Sequence, residues 1–492
     1  MFMLQTSIFG QRDNVLIDRE FWKAQPSVQQ VQEAIDQGND PAELNRFAFD
    51  PLVYAILEKT SIDVIKLLLS QEGNEVNKLT HDGRTYIFWA AYKNNLELMK
   101  YLLSAGALTD IIDEHGYSLL NFSAVTGQKN LELYDFIIAN GANPLTETNN
   151  DGANALLLLF PHLESTEMVD YFIGHGLTLD DRDDLENGAF YYAARGGNVA
   201  MLKWLIEQGI DYRFLNTENG SAFIAAAEGR RGHTNSLETF QYLTEIGLEA
   251  SIITLSGQTP LIAYAARGED PAVVEYLIDQ GNLLDYADKD GNNALMRAAK
   301  YNKIEIVNAL LSGSKMINSA NNKGETALMM AVERNAPAVV DRLLQSSADP
   351  TLRDKAGNNL GFYLVKSFDP KNLSVFESKW SLLREYGFSL TLSQDNGNTL
   401  YHLSAIYGKK HLFRVASELG LDINAKNKEG MTALHIAAMK TASVTTLTDL
   451  IELGANTSLT TEFDEDVYLL ASENELLTEQ GADLNFLKSH HE

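Results

Sequence analysis

Ten histidines, no cysteine and an excess of carboxylates bound the chemistry open to this 492-residue chain. His162-Leu163-Glu164 has the His-x-Glu spacing of zinc deaminases. That chemistry also needs two later cysteine ligands, and the chain supplies none. The same absence excludes disulfides, thiolate nucleophiles and cysteine-held zinc or iron–sulfur centres. His490-His491 offers at most a weak metal site on a frayed end. Asp180-Asp181-Arg182-Asp183-Asp184 and Asp464-Glu465-Asp466 read as solvated turn clusters, without EF-hand spacing. No metalloprotease helix, phosphate-binding loop or nucleophile elbow occurs. No catalytic, cofactor-binding or metal residue is therefore assigned, and the chain is not expected to be an enzyme. The alternative, an enzyme or toxin, has its best location in an irregular stretch, Phe368 to Trp380.

The elements that would position side chains repeat. Glycines recur at 83, 116, 152, 188, 220, 257, 291, 324, 357, 397 and 430, at intervals of 32 to 40 residues, four of them 33. A second series, at 38, 106, 141, 176, 209, 247, 281, 313, 387, 420, 454 and 481, keeps register with the first. Between them lie a short helix with paired small residues, such as Ala90-Ala91 or Ala298-Ala299, and a second helix ending in paired aliphatics, such as Leu102-Leu103 or Leu310-Leu311. The first glycine fits a hairpin tip with positive φ and the second terminates a helix. Two units depart from the pattern. The fifth puts Glu186 at the turn-glycine position, and the ninth ends in Ser346-Ser347-Ala348. Phe368 to Asn372 and Gly229 to Ser236 read as loop insertions.

The clearest copy, Asn427-Lys428-Glu429-Gly430-Met431-Thr432-Ala433-Leu434-His435-Ile436-Ala437-Ala438, resembles the ankyrin repeat, as does Thr259-Pro260-Leu261. Long bacterial multi-ankyrin proteins are also similar in Arg19-Glu20-Phe21-Trp22-Lys23 and Ala471 to Leu477. The resemblance implies an all-α solenoid of about 12–13 stacked helix–turn–helix units plus caps. The expected boundaries are a flexible leader or signal remnant at 1–17, capping helices at 18–44, repeats at 45–461, and a capping repeat and tail at 462–492. His402 and His435 hold the signature position, where the ring braces the turn.

Ankyrin stacks bind partners on a concave face built from hairpin tips and first helices. Transferred to this chain, that face carries Arg84, Tyr92, Lys93, Tyr117, Arg195, Arg267, Lys300, Tyr301, Arg334, Lys366, Tyr407 and Lys440, with Arg230 and Arg231 extending it on their loop. A cation at the end of a first helix offsets the helix dipole; the tyrosines beside it have no such reason to be there. Cations with tyrosines suit an extended acidic partner. The formal net charge of −28 disfavours nucleic acid. No apolar run reaches 18 residues, so no membrane insertion is expected. The expectation is a monomeric protein-binding scaffold without cofactors, either cytoplasmic or exported to the periplasm.

Overall fold

The computed structural model describes residues 14–488. Their contacts divide them into two compact units, between Leu248 and Glu249. The first contains six helix pairs, from Pro51–Leu57 with Ile62–Leu69 to Ala222–Glu228 with Leu237–Glu245. The second contains seven, from Pro260–Ala265 with Pro271–Asp279 to Val467–Ser472 with Glu475–Thr478. Four isolated bridges are the only β pairing among the described residues. The all-α solenoid expected from the repeats is therefore the observed fold.

Most repeats start in the same way. The Thr432 hydroxyl accepts from His435 N and caps Ala433–Lys440; Thr326, Asn293 and Asn154 cap their own first helices likewise. The small pair Ala298-Ala299 is fully buried, so neighbouring first helices approach closely. Val307 and Leu310 of the following helix are fully buried too, each contributing about 1.5–3 kcal/mol relative to exposure.

Two sets of hydrogen bonds tie repeat to repeat. At the hairpin tips, Asn322 N donates to Asp290 O at 2.8 Å, Lys355 N to Lys323 O at 2.9 Å and Lys428 N to Asn396 O at 2.9 Å. Each tip is held open by an Asx or Thr side chain; Asn321 Oδ1, for example, accepts from Lys323 N and Glu325 N. Where the first helices end, a side chain from one repeat donates to carbonyls of the preceding one. Asn302 Nδ2 reaches Ala265 O and Gly268 O, Asn335 Nδ2 reaches Ala299 O and Asn302 O, and Asn474 Nδ2 reaches Ala438 O and Thr441 O. In the first unit His162, Asn198 and Asn235 do the same for Val125 O, Leu163 O and Ala194 O. These clamps satisfy carbonyls that a helix cannot pair within itself.

Several details differ from the sequence reading. Glu186, with φ 66°, takes the left-handed turn position, as its alignment indicated, and Gly188 does not. Asn219, with φ 60°, replaces Gly220 as the turn residue. Ser347, with φ 70°, terminates the repeat that lacks a glycine there, whereas Gly313 is not left-handed. The flexible leader placed at 1–17 needs correction at its end: Val15–Ile17 is a helical turn, Leu16 is buried, and the Trp22 indole donates to Leu16 O at 2.8 Å. Residues 1–13 lie outside the described residues, as does His490-His491.

If the clamps hold the stack together, Asn335→Ala should lower the midpoint of urea unfolding by the equivalent of about 1–3 kcal/mol, because two helix-end carbonyls lose their donor. A loss below about 0.5 kcal/mol would make the clamp incidental.

Candidate partner-binding surface

Within the second unit the first helices lie side by side, Pro260–Ala265 beside Ala294–Tyr301 and onward to Ala433–Lys440. Their C-terminal ends therefore form one row. Arg267, Arg334 and Lys440 are exposed on it, and Lys300 and Lys366 are half-buried. Tyr301 is 58% exposed and Tyr407 36%, so both rings face solvent. Cations and rings are organised together. Lys300 Nζ lies 5.2 Å from the Tyr301 ring centroid, Lys366 Nζ lies 5.3 Å from that of Phe362, and Phe362 meets Tyr407 edge-on at 5.8 Å. Burial and the Glu333 carboxylate raise the Tyr407 phenol pKa, with the Lys366 charge opposing them. Glu333 interrupts the basic row, pairing with Lys366 at 2.9 Å and Arg334 at 3.2 Å.

In the first unit the equivalent positions hold Tyr92-Lys93 and Arg195. Tyr92 is 43% exposed, contacts Trp89 and Phe122, and lies 5.9 Å from Lys93 Nζ. Burial, and after it the nearby Lys59 charge, lowers the Lys93 amine pKa. Arg195 Nε donates to Gly229 O on the insertion loop, which carries half-buried Arg230 and exposed Arg231. Tyr117 is half-buried, its backbone N held by Asp113 Oδ1.

Arg84 does not belong to an open surface. It is 8% exposed, pairs with Asp113 at 2.8 Å and Asp82 at 2.9 Å, and stacks over Phe122 at 4.5 Å. It is a buried brace between two hairpin tips. Sequence position alone put it on the face, because the residue after the turn glycine points outward only when no acid of the next tip captures it.

The residues first weighed for chemistry have structural partners. His402 and His435 brace the turn: Nδ1 pairs with Thr399 and Thr432, and Nε2 with Met431 O and Leu459 O of the next repeat. Burial holds both imidazoles below their ordinary pKa. His162 is pushed down to about 4, first by burial, and is therefore neutral. Among the described residues no group of three or more His, Asp or Glu side chains could hold a metal, and no helix is long and apolar enough to cross a membrane. In the irregular repeat, Phe368 packs on Phe376 and the Asp369 carboxylate accepts from Lys371 N.

Models of ankyrin repeats match residues 24–115, 52–148, 222–318 and 283–354, just over half of the chain, and a second ankyrin model matches 160–206 and 400–451. The chain belongs to the ankyrin-repeat family. Ankyrin repeat protein nuc-2 of Neurospora crassa is 26% identical over 197 residues, 40% of this chain and 18% of that one. A putative ankyrin repeat protein of Acanthamoeba polyphaga mimivirus is 24% identical over 260 residues, 52% and 33% of the two chains. One of Fowlpox virus is 22% identical over 275 residues, 45% and 46%. The chain thus spans less than half the length of the curated relatives it matches. Ankyrin repeats are generally protein–protein interaction modules.

One functional group of this ankyrin array had no sequence signal. Lys379, on the 13-residue helix Leu373–Glu385, is 2% exposed, and its Nζ donates to Val332 O at 2.8 Å. It occupies the clamp position held by asparagine elsewhere. Burial pushes its amine down to about 8, against 10.5 for the free group. Between those values the unfolded chain binds the extra proton, so stability rises with pH by at most about 1.4 kcal/mol per unit. The penalty is fully present below pH 8. Lys379→Met should flatten the rise in melting temperature between pH 8 and 9.5 relative to wild type. Parallel curves would show that the amine is not desolvated.

Proposed function

We propose that this chain is a scaffold that binds an extended acidic segment of a protein partner along the helix-end row of its second unit. The observation that carries the reading is the pairing of cation with exposed ring along that row, Lys300 with Tyr301 and Lys366 with Phe362 and Tyr407. The helix dipole accounts for a terminal cation, at about 0.3–1 kcal/mol. It does not account for exposed tyrosines, whose rings leave apolar area in water and are good contact residues in an interface. Arg267 and Lys440 extend the row to either side. In the first unit Tyr92-Lys93, Tyr117 and Arg195 repeat the theme. The cations steer an acidic partner, and the rings supply area once it has docked.

The excess of carboxylates, −28 overall, disfavours a polyphosphate such as nucleic acid and keeps copies of the chain apart, so the working form in this reading is a monomer.

The test is capture of partners from the native source, read by mass spectrometry. Arg267→Glu with Lys300→Glu and Lys440→Glu should reduce captured partner at least tenfold while shifting the melting temperature by less than about 2 °C. Equal capture by the variant would discard the row.

A further inference from the structure

The insertion at Gly229 to Ser236 carries Arg230 and Arg231, and Arg195 of the preceding repeat bonds to it. The loop is fixed. Arg230 N donates to His233 O and His233 N to Arg230 O, at 3.2 and 3.0 Å, closing a four-residue turn. Gly229, with φ 61°, stands so close to His233 O that a Cβ would lie 2.7 Å from it. Asn235 Nδ2 fastens the exit to Ala194 O and Ala226 O at 2.8 and 2.9 Å. Arg195 donates its Nε to Gly229 O at 3.1 Å, which holds its guanidinium against the loop. Arg230 Nε is buried without a hydrogen-bond partner, and Arg231 is exposed.

The neighbouring repeat extends the patch. Gly196 packs on Pro161 O, where a Cβ would come within 2.1 Å, and this sets Arg195 beside the His162 turn. His162 is depressed first by burial and next by the charge of Arg230, so the two are close. Two acids adjoin. Glu164 pairs with Lys129 at 3.3 Å, and Glu228 acts on the Tyr191 phenol. The loop's own hydrogen bonds and the Arg195 contact thus frame the guanidinium donors.

We propose that Arg195, Arg230 and Arg231 form an oxyanion-binding site that anchors a carboxylate-rich peptide segment of a partner protein. Guanidinium groups bind carboxylate in bidentate geometry, and a preformed loop lowers the ordering entropy. A nucleic acid fits less well, since it would bring a charge every 1.7 Å or so to a chain of strong net negative charge. The inference rests on the reading that this chain binds proteins and deepens it at Arg195, with Arg230 and Arg231 as residues that the second-unit row does not include.

The test uses full-length chain already carrying Arg267→Glu, Lys300→Glu and Lys440→Glu, so that binding does not depend on that row. The probe is a fluorescein-labelled glutamate-rich decapeptide, read by anisotropy at low salt. Adding Arg230→Glu and Arg231→Glu should weaken binding at least tenfold. Adding Lys100→Glu and Lys203→Glu, the same charge change elsewhere in the unit, should change it less than twofold. Arg195→Gln should weaken binding while leaving the melting curve in place. The site is refuted if the arginine pair matters no more than the lysine pair, if the peptide does not bind the starting chain, or if a ten-nucleotide single strand binds more tightly than the peptide. Such a result would leave the helix-end row untouched, because none of these measurements depends on it.

Discussion

The end of each first helix sets the terms for the rest of the structure. These helices are short, six residues in Pro260–Ala265 and eight in Ala294–Tyr301, well below the length at which a helix persists alone in water. Their last carbonyls have no partner within the helix. The following repeat provides one: Asn302 reaches back to Ala265 and Gly268, and Asn335 to Ala299 and Asn302. The tip ladder solves the same problem at the other end, with Asn322 on Asp290 and Lys355 on Lys323. Stability in each unit is therefore a property of adjacent pairs rather than of single repeats.

That constraint also decides which residues are left for a partner. A polar side chain near a helix end either turns toward the neighbouring repeat, where it pairs with backbone or acid, or turns outward. Arg84 is captured by Asp113 of the next tip and buried under Phe122; Lys440 and Arg267 are not and stand exposed. Glu333 shows the intermediate case, holding both Arg334 and Lys366. In that repeat a partner carboxylate would have to compete with Glu333, whereas at Lys300 the neighbour is the Tyr301 ring, which leaves the charge available.

The fold was legible because glycine is the cheapest residue at a left-handed turn, and its recurrence near 33 residues marks the tips. The reading misplaced a tip where another residue accepts that conformation. Asn219 carries the strain at a position attributed to Gly220, and asparagine tolerates it better than most residues. The basic row was legible too, since position within the repeat fixes where a helix ends. What the sequence could not reveal was orientation across the repeat boundary. Arg84 and Lys440 are both cations beside a repeat landmark, and only the acid of the adjacent tip separates a brace from a contact residue.

Lys379 carries the same lesson further. Asparagine clamps lie 33 to 36 residues beyond the carbonyls they bind at Asn335 and Asn474, and 41 at Asn235, after the Gly229 to Ser236 insertion; Lys379 lies 47 beyond Val332. The Phe368 to Asn372 loop lengthens this repeat, and the outer helix after it runs to 13 residues. An amine on four methylenes, about two turns into the helix, makes the contact instead, and its charge suits a helix C-terminus. The next clamp after the insertion is also a lysine, Lys409 on Phe368 O at 2.8 Å. Burying an ammonium opposes folding where burying an amide with its partners does not, so Lys379 holds its carbonyl at a cost that the asparagine clamps avoid.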